Sequence, residues 1–465
     1  MPTEPPKQIP VGLETISKLE EIPFTNTVNG KRRRRGLRLS IRGRSVMLRG
    51  MPQQPRGIFR WLFLLGPGLV AASAGNDAGG IATYSSTGAK FGYEMLWVML
   101  VITVSLAIVQ EMCARLGAAT GRGLLDLIRE RFGLGWSVVA ISAIMIANTG
   151  LVISEFVGIG AAGELFGISR YITVPIAASV IWYLIVYGSY AQIERIFLLI
   201  TLVFFAYPVA AYLANPDWGA VAKGLFVPKI HADTAYLTAL VGLIGTTITP
   251  YMQIFQQSST VERGVVRTTY GDERIDAYAG SIFSNFMSIT MIIATAATLH
   301  RAGQTEIESA ADAAKALAPV AGEMAQAIFG FGLFGASMLA AAVLPLATAY
   351  AVSETFGFSK GVNLDFRRAP IFFRLFSGLI ALGATVALIP NIPVIDLLFG
   401  VQVLNGAILP IILLFVLLLI NDKLLMRELK NTKLYNVLGW TTLIVITIAV
   451  LAMFGFQIYD SLFKN

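Results

Sequence analysis

The sequence has little of the material from which metal clusters and hydrolytic sites are built. Its 465 residues include one cysteine and two histidines, and only 14% are charged. A single cysteine excludes an internal disulfide framework, and two histidines leave little for a zinc cluster. The sequence contains no HExxH and no GxxxxGKS motif, and no two aspartates occupy adjacent apolar segments at their centres. We therefore expect a protein that is not an enzyme and that carries no cofactor.

Apolar residues dominate what is present. They make up 55% of the chain, and the mean hydropathy is +0.68, which predicts a polytopic membrane protein. The formal net charge of +8 arises largely in the first 60 residues, which include KRRRR at 31–35. We expect 1–55 to be a disordered basic cytoplasmic tail, not a nucleic-acid-binding segment. No apolar core precedes residue 61, so no cleaved signal peptide is expected.

Residues 56–465 form the predicted transmembrane transport domain, with eleven spans. The spans run near 61–83, 94–114, 136–160, 171–188, 196–214, 236–258, 278–299, 327–352, 371–389, 394–420 and 435–457. Lysine and arginine are concentrated in the tail and on the same side as the tail, which predicts a cytoplasmic amino terminus and an external carboxyl terminus. The charged loop 261–277 is expected to be a solvated cytoplasmic connector, and the longer external loops 215–235 and 300–326 to contain short helices.

The first span carries a carboxylate and three glycines at its centre. Its middle reads GNDAGG at 75–80. A charged residue at this depth is costly and is normally tolerated beside a cavity or a partner, and glycines weaken the helix at the same point. Unwound backbone at membrane depth must be satisfied by protein or by a ligand. We predict a broken helix with Asp77 as a cation ligand and with Gly79 and Gly80 as unwound, ion-facing backbone. The alternative is a kinked helix whose Asp77 pairs with a neighbouring helix.

The sixth span contains a second interruption. It reads YLTALVGLIGTTITPYMQIFQQS at 236–258, and Pro250 removes one helical hydrogen bond. Broken spans 1 and 6 are five spans apart and therefore run in opposite directions. This pattern is typical of inverted-repeat transporters, whose site lies where the two breaks meet. We predict one repeat over about 58–215, a second over about 235–420, and an appended eleventh helix at 435–457.

Several of these stretches resemble the natural resistance-associated macrophage protein (NRAMP) family of divalent-metal transporters. GPGLVAASAGNDAGGIATYSSTGAKFGYEMLWVML (66–100) is similar to the family's first two helices. ARLGAATGRGL (114–124), SEFVGIGAAGELFGI, TTITPYMQIFQ and DERIDAYAGSIFSNF resemble its second loop and its third, sixth and seventh helices. The resemblance implies an all-α, LeuT-like fold of 5+5 helices plus one, with helices 1 and 6 broken at the midplane.

The sequence departs from the family pattern at the site itself. The family's helix 6 has Met-Pro-His, whereas this chain has Thr249, Pro250 and Tyr251, and the family's helix 1 asparagine aligns with Gly80. The site thus loses a soft sulfur ligand, which favours hard cations. We expect Asp77, the Thr246 carbonyl and Thr249 to bind a partly hydrated Mg2+, and also Mn2+. This pattern resembles the NRAMP-related magnesium transporters of prokaryotes. The alternative is a proton-coupled Mn2+/Fe2+ importer of conventional type.

Further polar residues are candidates for the ion pathway. Glu155 and Asn148 are seven residues apart on one helix face, and Asn285 and Gln402 match polar positions of the family. Each could instead be a structural hydrogen-bonding residue, as could Asn76. The family's second helix 3 acid aligns with Val152 and its histidine with Tyr251, a group that does not titrate near neutral pH. We therefore expect an uncoupled uniporter.

Two other classes of membrane protein fit the sequence less well. A sodium-coupled amino-acid carrier binds a carboxylate at its broken helices, and Asp77 would repel that group. A channel is usually shorter and symmetric by oligomerisation. We expect a protein of the bacterial inner (plasma) membrane that contacts the lipid bilayer, takes a divalent metal ion as substrate and functions as a monomer.

Overall fold

A computed structural model describes the backbone of 37–41 and 44–48 and the residues 77–187, 205–359, 364 and 366–463. The chain divides into two units, 1–56 and 57–465. In the first unit, strands β1 (Leu37–Ile41) and β2 (Arg44–Leu48) pair antiparallel, with Leu37 opposite Leu48. The rest of the predicted tail lies outside the described residues, as do Asn76, 61–76 of the predicted span 61–83 and 196–204 of the predicted span 196–214.

The second unit is helical throughout its described part. Its α-helices are α1 Ala78–Phe91, α2 Leu96–Thr120, α3 Leu124–Leu165, α4 Arg170–Tyr187, α5 Ala206–Leu213, α6 Trp218–Phe226, α7 Thr234–Thr247, α8 Pro250–Glu262, α9 Tyr270–Thr295, α10 Ala310–Ala314, α11 Ala318–Ala321, α12 Ala325–Phe356, α13 Pro370–Ala387, α14 Val394–Ile420, α15 Lys423–Met426 and α16 Lys433–Phe463. A π-helical turn, Ala296–His300, extends α9. Within the described residues, nine helical segments are long and apolar enough to cross a membrane, and they correspond to nine of the eleven predicted spans.

The sixth span is broken where the sequence predicts it. Helix α7 ends at Thr247, Ile248 leaves the helical region (φ −115°, ψ 64°), and α8 begins at Pro250 after the extended Thr249. Proline has no N–H to continue the helix but fits the first position of a new one, where that N–H has no intrahelical partner. The Thr249 hydroxyl caps α8 by accepting a hydrogen bond from the Met252 N–H at 3.4 Å. The prediction of a broken sixth span is confirmed.

Helix α3 lies at the centre of the packing. It contacts α12, α13 and α14, while α14 also packs against α7, and α1 packs against α9. The helix contains a kink at Gly133, whose φ of 83° is accessible mainly to glycine. Its predicted span, 136–160, follows that kink. These contacts place α1, α3, α7, α8 and α12 around the point where the sixth span is interrupted.

The two longer loops contain short helices, as predicted. Helix α6 lies in 215–235, and α10 and α11 lie in 300–326. The first of these loops is tied to the turn after α1 by an ion pair between the Lys229 and Glu94 side chains, 2.5 Å apart. The hydrogen bond from Lys229 lowers the pKa of the Glu94 carboxyl, with a smaller contribution from His231.

The loop 261–277 differs from its prediction as a solvated connector. Glu273 is only 5% exposed, because α9 already begins at Tyr270 and turns this carboxylate toward α8. There it accepts hydrogen bonds from Arg263, Gln256 and Thr260. Much of the charge in this stretch therefore joins two helices instead of facing water.

Candidate metal site

Asp77 begins helix α1. Its backbone is extended (φ −70°, ψ 178°), and its Oδ1 accepts a hydrogen bond from the Gly80 N–H at 2.6 Å. An aspartate at this position satisfies a free N–H and places its charge at the positive end of the helix. Gly79 and Gly80 therefore lie in the first helical turn, and the prediction that they form unwound backbone is wrong. The cap formed by Asp77 is the reason.

A small cavity lies beside Asp77, at the interruption of the sixth span. Thr249 and Tyr251 line it from α8, and the cavity volume is about 20 Å³. A cavity needs roughly 10–15 Å³ on this measure to hold one water, so there is room for about one water molecule or bare ion. The structure thus brings together three of the residues predicted for the site from two distant parts of the chain.

The Asp77 cavity is lined by three polar residues and seven apolar ones. Its polar groups are the Asp77 carboxylate and the hydroxyls of Thr249 and Tyr251, and no sulfur or imidazole lines it within the described residues. Its remaining described lining residues are apolar: Leu151, Phe255, Ala336, Leu339, Ala340, Val343 and Leu344. Carboxylate and hydroxyl oxygens are hard ligands, which suit Mg2+ and Mn2+.

Glu155 supplies a second carboxyl group at the start of α1. It is fully buried, and its Oε2 accepts a 3.4 Å hydrogen bond from the Ala78 N–H, the residue after Asp77. Helices α1 and α3 approach closely here, because a Cβ at Gly158 would overlap the Ala78 side chain. Asp77 and Glu155 therefore share the N-terminus of one helix, although Glu155 is not among the residues that line the cavity.

The end of α7 leaves carbonyl oxygens without an intrahelical partner, although Thr246 is not among the residues that line the Asp77 cavity. The last carbonyls of a helix have no intrahelical partner, and Pro250 has no N–H to donate to the carbonyl of Thr246. Thr246 is 1% exposed, and its hydroxyl makes no hydrogen bond that meets ordinary geometry within the described residues. The position predicted for Thr246 as a carbonyl ligand is therefore compatible with the backbone, next to the interruption at Ile248.

Gln402 explains why residue 79 is a glycine. The Gln402 side chain of α14 lies against Gly79, where a Cβ would overlap its amide, and it is close enough to interact with the Asp77 carboxylate. Neither of its polar atoms makes a hydrogen bond of ordinary geometry within the described residues. A buried amide in this state is typical of a group that meets a water or a ligand in another state.

The other predicted pathway residues lie apart from the Asp77 cavity. Asn148 donates a 2.8 Å hydrogen bond to the Thr348 hydroxyl and so joins α3 to α12. Asn285 is 1% exposed on α9 and makes no side-chain hydrogen bond within the described residues. Neither residue lines the cavity, and Asn76 lies outside the described residues.

The apolar wall of the site was missed in the sequence. Helix α12 supplies Ala336, Leu339, Ala340 and Val343, which recur at helical spacing, and Leu151 lies one turn from Glu155 on α3. The 3.6-residue period places such residues on one face. That period cannot tell a face that lines a cavity from one that packs against a neighbouring helix, because the sequence of α12 is almost uniformly apolar.

A second, larger cavity opens at the other end of α1. We call it the vestibule; its volume is about 920 Å³, and Thr87, Thr238, Glu306 and Asp396 are among the residues that line it. Glu308 and Lys90 also face it, so three carboxylates and one ammonium surround this space. By the predicted orientation, the vestibule is on the external side.

Comparisons of sequence place the chain among metal transporters by similarity. A family model described as natural resistance-associated macrophage protein-like matches residues 68–455. A Deinococcus radiodurans protein named divalent metal cation transporter MntH is 29% identical over 426 residues, covering 88% of this chain and 92% of its own. A Klebsiella pneumoniae protein of the same name is 29% identical over 410 residues, covering 86% and 95%.

Solved structures show the same fold. The manganese transporter of Eremococcus coleocola superposes with a TM-score of 0.67 at 21% identity, covering 88% of this chain and 90% of its own. Mhp1, a nucleobase-cation-symport-1 family transporter, superposes with a TM-score of 0.53 at 15% identity, covering 84% and 91%. The predicted all-α, LeuT-like fold is confirmed.

Proposed function

The chain belongs to the natural resistance-associated macrophage protein family, and from that premise we propose that it carries divalent metal cations across a membrane. The relatives with the same family likeness are named divalent metal cation transporters, and none of these names denotes an enzyme, in agreement with the sequence. The buried carboxylate at the interruption between helices supports this function, because it is the kind of group that a cation can neutralise.

We propose Mg2+ as the main substrate, with Mn2+ also accepted. The observation that carries this proposal is the ligand set of the Asp77 cavity: one carboxylate and two hydroxyls, with no sulfur within the described residues. Mg2+ is usually held by one or two carboxylates while it retains several waters.

A hydrated ion needs a more open conformation than the present one. The volume of about 20 Å³ beside Asp77 accommodates about one water, not a cation with several. Binding of a partly hydrated ion therefore requires α1, α8 and α12 to move apart, as broken helices do in transporters that alternate access.

We further propose transport without proton coupling. Neither histidine of the chain is at the site: His231 lies in the loop before α7, and His300 hydrogen-bonds the Ala89 carbonyl at the far end of α1. Tyr251 lines the cavity at the position where the family has a histidine. Histidine is the side chain whose unperturbed pKa lies near physiological pH. A divalent cation entering a negative interior gains about 4.6 kcal/mol per 100 mV, twice the value for one elementary charge, so the membrane potential is a sufficient driving force.

The second candidate is a proton-coupled importer of Mn2+ or Fe2+. Glu155 favours it, because a fully buried carboxyl next to the start of α1 is a site at which a proton can be taken up and released. The name of the Eremococcus coleocola protein, a manganese transporter, agrees with this candidate.

The proposed setting follows from the apolar helices and the charge distribution. We propose a monomer in the inner (plasma) membrane, surrounded by lipid, with the amino terminus cytoplasmic and the carboxyl terminus external. Reaction of cysteines introduced at each end with an impermeant thiol reagent, in intact and in opened cells, tests the orientation.

A sulfur added at residue 249 tests the ligand chemistry. We expect Thr249→Met to raise uptake of Mn2+ and Cd2+ relative to Mg2+ by at least several-fold, because a thioether favours softer cations. Thr249→Ser keeps the hydroxyl and should keep the wild-type ratio. Thr249→Ala removes the cap of α8 without adding sulfur, and so controls for a weakened helix start. An unchanged ratio in Thr249→Met would show that this residue does not face the ion.

A further inference from the structure

The Asp77 cavity and the vestibule are separate spaces at opposite ends of α1. They share no lining residue within the described part of the chain. On α1, Asp77 lines the first, while Thr87 lines the second, about 15 Å farther along the helix. On the other side of the path, Thr249 lines the first cavity and Ala239 of α7 lines the second. The part of α1 between Asp77 and Thr87 and the part of α7 after Ala239 therefore lie between the two cavities.

A polar contact joins α1 and α7 between the two cavities. The Tyr84 hydroxyl and the Thr247 Oγ1 are 3.1 Å apart and hydrogen-bonded, and the two residues are 1% and 3% exposed. Tyr84 follows Asp77 by seven residues and precedes Thr87 by three, so all three lie on one face of α1. Thr247 is the last residue of α7, directly before the interruption. Both residues thus lie between the two cavities.

The surroundings of Tyr84 are polar at its hydroxyl. The hydroxyls of Thr246 on α7 and Ser288 on α9 also lie within reach of it. The Tyr84 hydroxyl thus joins α1 to α7 and lies close to α9. A tyrosine in that position is suited to a reversible closure, since the net contribution of one neutral hydrogen bond is small and the bond is broken easily.

We propose that Tyr84 and Thr247 form the gate between the vestibule and the metal site. While the hydrogen bond is made, the Asp77 cavity is closed to the vestibule. Breaking it lets α1 and α7 separate, and a hydrated ion then reaches Asp77. The proposed gate consists of described residues of α1 and α7, and it does not depend on which ion the metal site selects.

Accessibility of a cysteine in the metal-site cavity tests the gate without any metal. Leu344 is 2% exposed and lines the Asp77 cavity, whereas Ala235 lines the vestibule and is exposed. The native Cys113 is fully buried and gives a low background. We expect an impermeant methanethiosulfonate reagent to modify Leu344→Cys at least tenfold more slowly than Ala235→Cys. Adding Tyr84→Phe should raise the rate at Leu344→Cys several-fold and leave Ala235→Cys unchanged.

The second half of the contact gives an independent test. Thr247→Val removes the hydroxyl at nearly constant shape and should also speed modification of Leu344→Cys. The double variant should react no faster than Tyr84→Phe alone, because both changes remove the same hydrogen bond. Equal rates at the two cysteines with Tyr84 intact would overturn the proposal. So would unchanged rates in both Tyr84→Phe and Thr247→Val, or effects of the two changes that multiply. Since no ion is present, these results are independent of the substrate.

Discussion

Asp77 has two tasks that compete for the same carboxylate. It caps α1 through the Gly80 N–H, and it is the one charged residue that lines the small cavity within the described residues. A carboxylate has two oxygens and about four acceptor positions, so one oxygen can hold the cap while the other meets a cation. Cation binding requires the negative charge of the carboxylate, whereas capping of α1 requires only an oxygen that accepts a hydrogen bond.

Two substitutions separate these tasks. Asparagine is as good a helix cap as aspartate, so we expect Asp77→Asn to keep the thermal stability of the wild type while cation uptake is lost. Asp77→Ala should lose uptake and, in addition, about 1 kcal/mol of stability with the cap. Uptake into proteoliposomes and thermal unfolding in detergent measure the two effects. Wild-type uptake by Asp77→Asn would remove Asp77 from the ligand set.

Some features of individual site residues could be predicted from the sequence, and others could not. The identity of Asp77, Thr249 and Tyr251 as neighbours followed from two interrupted spans in an inverted repeat. The helical state of Gly79 and Gly80 did not, because glycine is compatible with an unwound segment and with a close helix contact alike. The Asp77 cap and the close contact of Gln402 with Gly79, more than 300 positions away, distinguish the two.

At the scale of elements, α7 and α14 approach until their backbones touch. A Cβ at Gly245 would overlap the Gln402 carbonyl and the Gly406 backbone, and one at Gly406 would overlap the Val241 carbonyl. Small residues are the usual means by which membrane helices pack this closely. This contact fixes α7, and with it Thr246 and Thr247, against the helix that carries Gln402.

A matched pair of alanine substitutions tests this contact. Gly245→Ala should destabilise the protein by about 1–3 kcal/mol, because backbone atoms cannot move aside as a flexible side chain does. Gly400→Ala lies in the interior of α14 with open space around it, and it should be neutral or stabilising, since alanine favours a helix over glycine. Thermal unfolding of both variants in the same detergent decides. Equal effects would mean that helix propensity, not packing, controls residue 245.

A buried ion pair holds the last helix to the rest of the transport unit. The Arg115 guanidinium of α2 bonds the Glu111 carboxylate at 3.1 Å and also bonds the Asn431 side chain just before α16. It further donates to the Leu429 carbonyl at 3.2 Å and lies 5.1 Å from the centre of the Tyr435 ring. The predicted appendage is thus joined to the first repeat by Arg115, and also by a 3.0 Å hydrogen bond between the Ser105 and Thr442 hydroxyls.

Removal of one partner of this pair should cost more than removal of both. Arg115→Gln leaves the Glu111 charge buried and unpaired, and we expect a loss of about 3–5 kcal/mol. The double variant with Glu111→Gln should recover part of that loss, because neither charge remains. Thermal unfolding of the wild type, both single variants and the double variant measures the coupling. Strictly additive effects would contradict the pairing.

For the whole molecule, the span pattern and the second interruption were readable from apolar runs and one proline. The burial of Glu273 was not, because a charged loop and a charged helix start look alike in sequence. The contact between Tyr84 and Thr247 was equally hidden, since it joins residues 163 positions apart in the sequence. A helix can be recognised in a sequence by its period of 3.6 residues, whereas a contact between two helices leaves no such repeat.

The central claim concerns what crosses the membrane with the ion. The most direct measurement follows Mg2+ entry and internal pH together in proteoliposomes at a fixed, inside-negative potential, with Asp77→Asn as the inactive control. We expect saturable Mg2+ entry that rises with the potential, is absent in Asp77→Asn and leaves the internal pH unchanged. Acidification in proportion to cation entry, or entry of Mn2+ without Mg2+, would contradict the account and return the protein to the proton-coupled manganese importers.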